Sequence, residues 1–200
     1  MAETSDLIAP PGGSLLLAEA RAARELPRLL LRTPGLLRAP RGRGPVVAFP
    51  GFGTGDVATA PVRAFLRSLG HTTHGWAMGV NRGDVEALVP PATARVRDVV
   101  ERTGAPAALV GWSLGGVIAR EIARDEPELV RRVVTYGTPV VGGPRYTRSA
   151  GAYGAERVRA IEIVVAERNR IPIEVPVTAI YSRRDGAVAW RACLDDFTPE

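Results

Sequence analysis

The sequence contains no lysine: all 26 basic residues are arginine. With the many alanines, glycines and prolines, this reads as a compositional bias of the whole chain rather than a selection for guanidinium chemistry at one place. There is one cysteine, Cys193, so no internal disulfide can form and the fold is not expected to depend on oxidation. No run approaches the ~18 uncharged apolar residues that a membrane-crossing helix needs. Ser14-Leu15-Leu16-Leu17 is too short for the apolar core of a signal peptide and is soon broken by Glu19, Arg21 and Arg24. A cytoplasmic location is therefore the expectation. The net charge of +5 is spread among acids rather than clustered, which argues against a nucleic-acid partner. The densest basic stretch, Arg38 to Arg43, carries proline and glycine and reads as an exposed turn. Histidine is scarce: His71 and His74 are the only two.

What is present is one domain's worth of chain, 200 residues, long enough to bury a core. Residues 1–44 read as a loose tail followed by an amphipathic helix from Leu15 to about Leu31, with Pro27 as a kink or boundary. From residue 45 to 200 short apolar runs alternate with helical periodicity. Strands are expected at Val46–Phe49, Thr72–Met78, Ala107–Trp112, Val133–Tyr136 and Val175–Tyr181. Helices are expected at Pro61–Leu69, at Asp84–Arg102 with an interruption at Pro90-Pro91, and at Leu114–Arg124. Strand and helix in alternation give an α/β fold, a mostly parallel sheet with helices on both faces. Residues 141–174 fit the alternation poorly, and their position between two strands suggests a helical cap or lid; an ordinary crossover helix is the plainer alternative.

Gly111-Trp112-Ser113-Leu114-Gly115 follows one strand-like run and opens one helix-like run. That context predicts a sharp strand-to-helix turn that exposes the Ser113 hydroxyl, with flanking glycines leaving room for the tight fold. A helix beginning just after Ser113 aims its unsatisfied N–H groups at the place where an oxyanion would form. In an open parallel sheet ligands gather at the carboxyl ends of the strands. Those ends carry Gly51-Phe52-Gly53, Ser113, Gly137-Thr138-Pro139 and Asp185. The candidate roles follow. Ser113 is the nucleophile, the backbone N–H groups of Leu114 and Phe52 are oxyanion donors, and Asp185 orients an imidazole. Asp195 and Asp196 compete with Asp185 less well because a helical-looking segment precedes them. His71 starts its strand at the far end of the sheet. His74 is read as mid-strand, roughly 13 Å from the rim at ~3.3 Å per residue, so neither is placed to serve Ser113. The two lack the companions of a metal site.

On Val46–Gly53, Gly111–Gly116, Thr135–Pro139 and Tyr181–Gly186 the chain resembles bacterial esterases and lipases of the α/β-hydrolase superfamily, of the compact type without the first two strands. The resemblance covers roughly residues 45 to 194. It implies hydrolysis of a small acyl ester or lipid through an acyl-serine, with no metal and no organic cofactor. The chain departs from that pattern twice. It has Pro50-Gly51 where many such lipases have His-Gly before the oxyanion residue, and no histidine follows Ser113. The expectation is a C-terminally truncated hydrolase fold that turns over weakly or not at all. The alternative is a catalytically silent relative that folds or binds without chemistry.

Overall fold

The computed structural model describes residues 35–36 and 38–194. The tail and amphipathic helix expected before residue 32, and Asp195 and Asp196, lie outside the described residues. Five strands form one sheet in which every pairing is parallel: β1 (Pro45–Phe49), β2 (Thr72–Gly75), β3 (Ala107–Trp112), β4 (Val130–Tyr136) and β5 (Val177–Ile180). Their order is β2-β1-β3-β4-β5. Composition decides which strands are central. Pro-Val-Val-Ala-Phe of β1 is buried throughout and Ala-Ala-Leu-Val-Gly-Trp of β3 nearly so, because both faces of a central parallel strand are covered. The polar Thr-Thr-His-Gly of β2 and the four-residue β5 sit at the two edges.

The alternation of side chains along the strands divides the core between two faces. Val47, Phe49, Leu109 and Val133 point to one face, under α2 (Val85–Thr103) and α3 (Leu114–Asp125). Ala92, Val96 and Val99 of α2 and Ile118, Ala119 and Ile122 of α3 recur at helical spacing and close that face around Trp76. Val46, Ala108 and Val110 point the other way and meet Leu66 of α1 (Asp56–Ser68), with Val134 and Tyr136 half-buried beside them. Helices thus lie on both faces, as the strand–helix alternation predicts.

Several boundaries differ from expectation: β4 starts at Val130 rather than Val133 and β5 spans Val177–Ile180 rather than Val175–Tyr181, and three further differences have an identifiable cause. Helix α1 begins at Asp56, five residues before Pro61, which sits inside it. The Asp56 carboxylate accepts the N–H groups of Trp76 and Ala77, at 3.0 and 3.1 Å. Those two N–H groups are thereby lost to any strand ladder, and Ala77 turns to φ 62, so β2 stops at Gly75 rather than Met78. Helix α2 runs unbroken through Pro90 and Pro91. Their missing N–H groups would have met the carbonyls of Glu86 and Ala87, exposed residues of the first turn where water can take over. The same helix is capped by Asp84, whose side chain accepts from Ala87, and ends at Gly104 with φ 67.

Between β4 and β5 stand a short helix α4 (Ala150–Tyr153) and a longer α5 (Ala155–Arg168). The C-terminal end of α5 is held to α3 by charge. Arg168 bonds Asp125 at 2.6 Å and also pairs with Glu121. The side chain of Arg124, almost fully buried, pairs with Glu121 and donates to the carbonyl of Ile171 at 2.8 Å. A buried guanidinium is tolerated here because its donors are met.

Edge strand β2 carries His74, whose Nε2 is buried without a hydrogen-bond partner among the described residues. Burial, then the charges of Arg95, Arg102 and Arg67, lower its pKa below 6.5, against a smaller upward pull from Asp98. The native fold therefore prefers neutral His74, and the unfolded chain binds the proton more readily. Stability is full above the unfolded value and falls as pH drops through it. Thermal unfolding between about pH 7.5 and about pH 5.5 should show a falling midpoint, and His74→Gln should flatten that slope. An unchanged slope in the variant would assign the pH dependence elsewhere.

Candidate active site

Ser113 joins β3 to α3 with φ 51 and ψ −122. A non-glycine residue at positive φ is strained by roughly 1–3 kcal/mol and persists only where its surroundings impose it. Three glycines impose it by leaving room for close contacts, two with backbone and one with the Thr138 side chain. A methyl group on Gly111 would lie 2.3 Å from Gly116 Cα, one on Gly115 would lie 2.3 Å from the Phe49 carbonyl oxygen, and one on Gly116 would lie 2.0 Å from Thr138 Oγ1. Helix α3 is thereby pressed onto the ends of β1 and β3. Hydrogen bonds then hold the serine backbone on both sides. Its N–H donates to the Tyr136 carbonyl at 3.0 Å. Its carbonyl accepts from the Gly116 N–H at 2.9 Å and from the Thr138 hydroxyl at 3.0 Å.

The loop after β1 runs alongside. At Gly51 a Cβ would stand 3.3 Å from Ser113 Cβ and 3.1 Å from the Trp112 ring, so only glycine lets the chain pass this close without displacing them. Asn81 shapes the loop from across the rim. It is fully buried. Its amide donates to the Pro50 carbonyl at 2.9 Å and its Oδ1 accepts from the Gly83 N–H at 3.1 Å. Its backbone exchanges bonds with Gly53 and Thr54, both at 2.8 Å. Among the described residues, neither the Phe52 nor the Leu114 N–H is spent on a hydrogen bond within the protein. Leu114 is the first residue of α3, where an unsatisfied N–H is inherent to the helix.

Asp185 lies at the same carboxyl end of the sheet. Its Oδ2 stands 3.2 Å from where a Cβ on Gly137 would be, and Gly137 follows Tyr136, the residue that receives the Ser113 N–H. Its Oδ1 is occupied by the N–H groups of Ala187 and Val188, at 2.8 and 2.9 Å. One carboxylate oxygen is therefore fixed by backbone and the other is turned toward the end of β4. Burial and the nearby Asp185 charge push the Cys193 thiol up to about 12, which leaves it inert.

The histidines do not approach. His74 pairs in register with Val47, and Val47 with Leu109, four residues before Ser113. At ~3.3 Å per residue that is about 13 Å along the strands, and β1 intervenes. The strand ends sooner than expected after His74, but this register leaves it as far from the serine. His71 precedes β2 and is farther still, its Nδ1 buried without a partner.

Aromatic side chains cover the Phe52 loop. The Phe52 and Tyr153 rings are 5.6 Å apart at 41°, and the Tyr153 hydroxyl donates to the Gly83 carbonyl at 3.2 Å. Burial pushes the Tyr153 phenol upward. Segment 141–174 thus reaches the rim through Tyr153, while α5 is anchored on α3. An open groove of about 510 Å³ runs along Tyr153, Gly154, Ala155, Glu156, Arg157 and Ala160 and includes none of the four candidate residues. Among the described residues no group of three or more His, Cys, Asp or Glu is gathered to hold a metal ion.

Asn81 and the pinning bond from Thr138 were not foreseeable as such. Nothing in the local pattern of Val80-Asn81-Arg82 announces a side chain that reaches back to Pro50.

The glycine contacts are testable. Gly115→Ala should destabilise the fold by about 1–3 kcal/mol, the usual range for forced overpacking. Gly151→Ala, where nothing lies within 4 Å, should be neutral or slightly stabilising. Chemical denaturation of both variants reads this directly, and equal stability would mean that α3 can back away from β1.

No protein-family model matches the sequence, and no curated protein matches it either. Solved structures do. The mouse α/β hydrolase domain-containing protein 10 matches at 21% identity and TM-score 0.52, over 77% of this chain and 75% of that one. The monoacylglycerol lipase of Paleococcus ferrophilus matches at 16% identity and TM-score 0.52, over 74% and 76%. A structure of the metagenome-derived lipolytic enzymes LipS and LipT matches at 13% identity and TM-score 0.58, over 80% and 82%. The chain spans about half the length of further matched structures, 54% and 51% for two of them. The parallel sheet, its strand order, its two covering layers of helix and these likenesses lead to one conclusion: the chain is built on the α/β-hydrolase fold.

Proposed function

We propose that the protein is a serine hydrolase acting on carboxylic esters, small acyl esters or lipids, through an acyl-serine intermediate. The observation that carries the reading is Ser113 at positive φ on the β3–α3 turn, a nucleophile elbow, next to the N–H groups of Phe52 and Leu114, which have no acceptor among the described residues. In this reading Ser113 Oγ attacks the ester carbonyl carbon while its proton passes to an imidazole. The oxyanion accepts from Phe52 and Leu114. Asp185 Oδ2 holds the imidazole, and the alcohol leaves with the proton. Water then releases the acid and frees Ser113. The steps call for no metal and no organic cofactor. Neighbours that are lipases or lipolytic enzymes by name support an acyl ester as substrate. No helix among the described residues is long and apolar enough to cross a membrane, and a cytoplasmic location belongs to the proposal.

Among the described residues no base stands beside Ser113. Neither His71 nor His74 stands near Ser113, and loss of one triad member costs on the order of 10⁴ to 10⁶ in turnover. That leaves a second reading, a catalytically silent relative that folds or binds without chemistry. Supplying the base separates the two. The 200-residue chain should hydrolyse p-nitrophenyl butyrate weakly, and added imidazole should raise the rate above that of Ser113→Ala at the same imidazole concentration. Asp185→Ala should lose most of that increment. Equal rates for the protein and Ser113→Ala at every imidazole concentration would leave the silent reading.

A further inference from the structure

Most arginines in this protein whose contacts are described answer an acid. Arg95, Arg97, Arg102, Arg124, Arg145, Arg157 and Arg168 all do so. At the carboxyl end of β5 the pattern changes. Arg183, Arg184 and Arg191 have no acidic partner among the described residues. Two of them lie against an aromatic ring instead. The Arg183 guanidinium is 5.1 Å from the Trp190 ring centre and the Arg191 guanidinium 5.3 Å. Tyr181 stacks on the same indole, 5.9 Å away at 18°. Tyr181 is 41% exposed and Ile180, the last residue of the edge strand, 55%. The carboxylate nearest Arg183 and Arg184 in sequence, Asp185, has one oxygen tied to backbone and the other against Gly137.

We infer that Arg183, Arg184, Arg191, Trp190, Tyr181 and Ile180 form a docking surface for an anionic lipid bilayer. The charge is complementary: three guanidinium groups with no counter-ion among the described residues face phosphate headgroups, which guanidinium binds well. Stacking on the indole holds two of them in place at little further entropic cost. Tyrosine and tryptophan favour the membrane–water boundary, where one end of the ring is wet and the other apolar. Exposed Ile180, the residue before Tyr181, gives the acyl region something to bury, which an acidic soluble partner would not require. The surface lies on the rim that carries Asp185, so docking would bring that rim to a lipid ester. The last point alone rests on the proposed hydrolase reading.

Flotation of the 200-residue protein with phosphatidylcholine vesicles, with and without phosphatidylglycerol, tests the inference. The protein should float with the anionic vesicles only, and salt should release it. Each arginine near an anionic surface contributes about fivefold, so R183A/R191A should lose roughly 25-fold in partitioning. R159A/R170A removes the same charge from exposed positions elsewhere and should bind as the parent. Brominated lipid should quench Trp190, and the parent's quenching should exceed that of W190F. Matching near-ultraviolet circular dichroism confirms that each variant is folded. S113A should float unchanged, so failure of the hydrolase reading leaves this result standing. Equal binding to neutral vesicles, retention by R183A/R191A, equal loss in R159A/R170A, or displacement by polyglutamate as effective as by anionic lipid would each overturn the inference.

Discussion

The absence of side chains at Gly111, Gly115 and Gly116 is the constraint on which the rest depends. It allows the first turn of α3 to lie directly on the backbone of β1 and β3, with the Phe49 carbonyl where a methyl group would otherwise be. With the helix that close, Ser113 passes from strand to helix at φ 51. The bonds from Thr138 and to Tyr136 then lock it. The strain is local and modest, roughly 1–3 kcal/mol, and a core closed on both faces of a parallel sheet supplies far more than that.

The same closeness organises the neighbouring loops. Gly51 lets the segment after β1 run beside Ser113, and buried Asn81 holds that segment through its own side chain and backbone. Thr138 belongs to the turn after β4, and the next strand delivers Asp185. Each contributor comes from the carboxyl end of a different strand or from a loop tied to one. A parallel sheet puts those ends together by construction, so four separate stretches of sequence share one rim without any one of them encoding the meeting.

Much of this is legible in the sequence because it is local. Continuous apolar runs at 46–49 and 107–110 mark buried central strands, and glycines spaced around Ser113 mark a turn no bulkier residue could make. What was not legible depends on partners distant in sequence. The end of β2 is set by Asp56, twenty residues earlier, which takes the Trp76 N–H. The start of α1 is obscured by Pro61, which reads as a first-turn residue but sits in the second. Pro90 and Pro91 suggest a break, yet they fall where the freed carbonyls face water. Asn81 carries no spacing signature at all, since its bond to Pro50 spans thirty-one residues.

The central claim is that this packing places the Ser113 oxygen and two unused N–H groups around one point. A crystal structure of the protein after prolonged exposure to an alkyl fluorophosphonate tests it most directly. The account predicts phosphorus bonded to Ser113 Oγ, its phosphoryl oxygen accepting from the N–H groups of Phe52 and Leu114, and Ser113 still at positive φ. An adduct on another residue, or a phosphoryl oxygen directed away from those two donors, would contradict it.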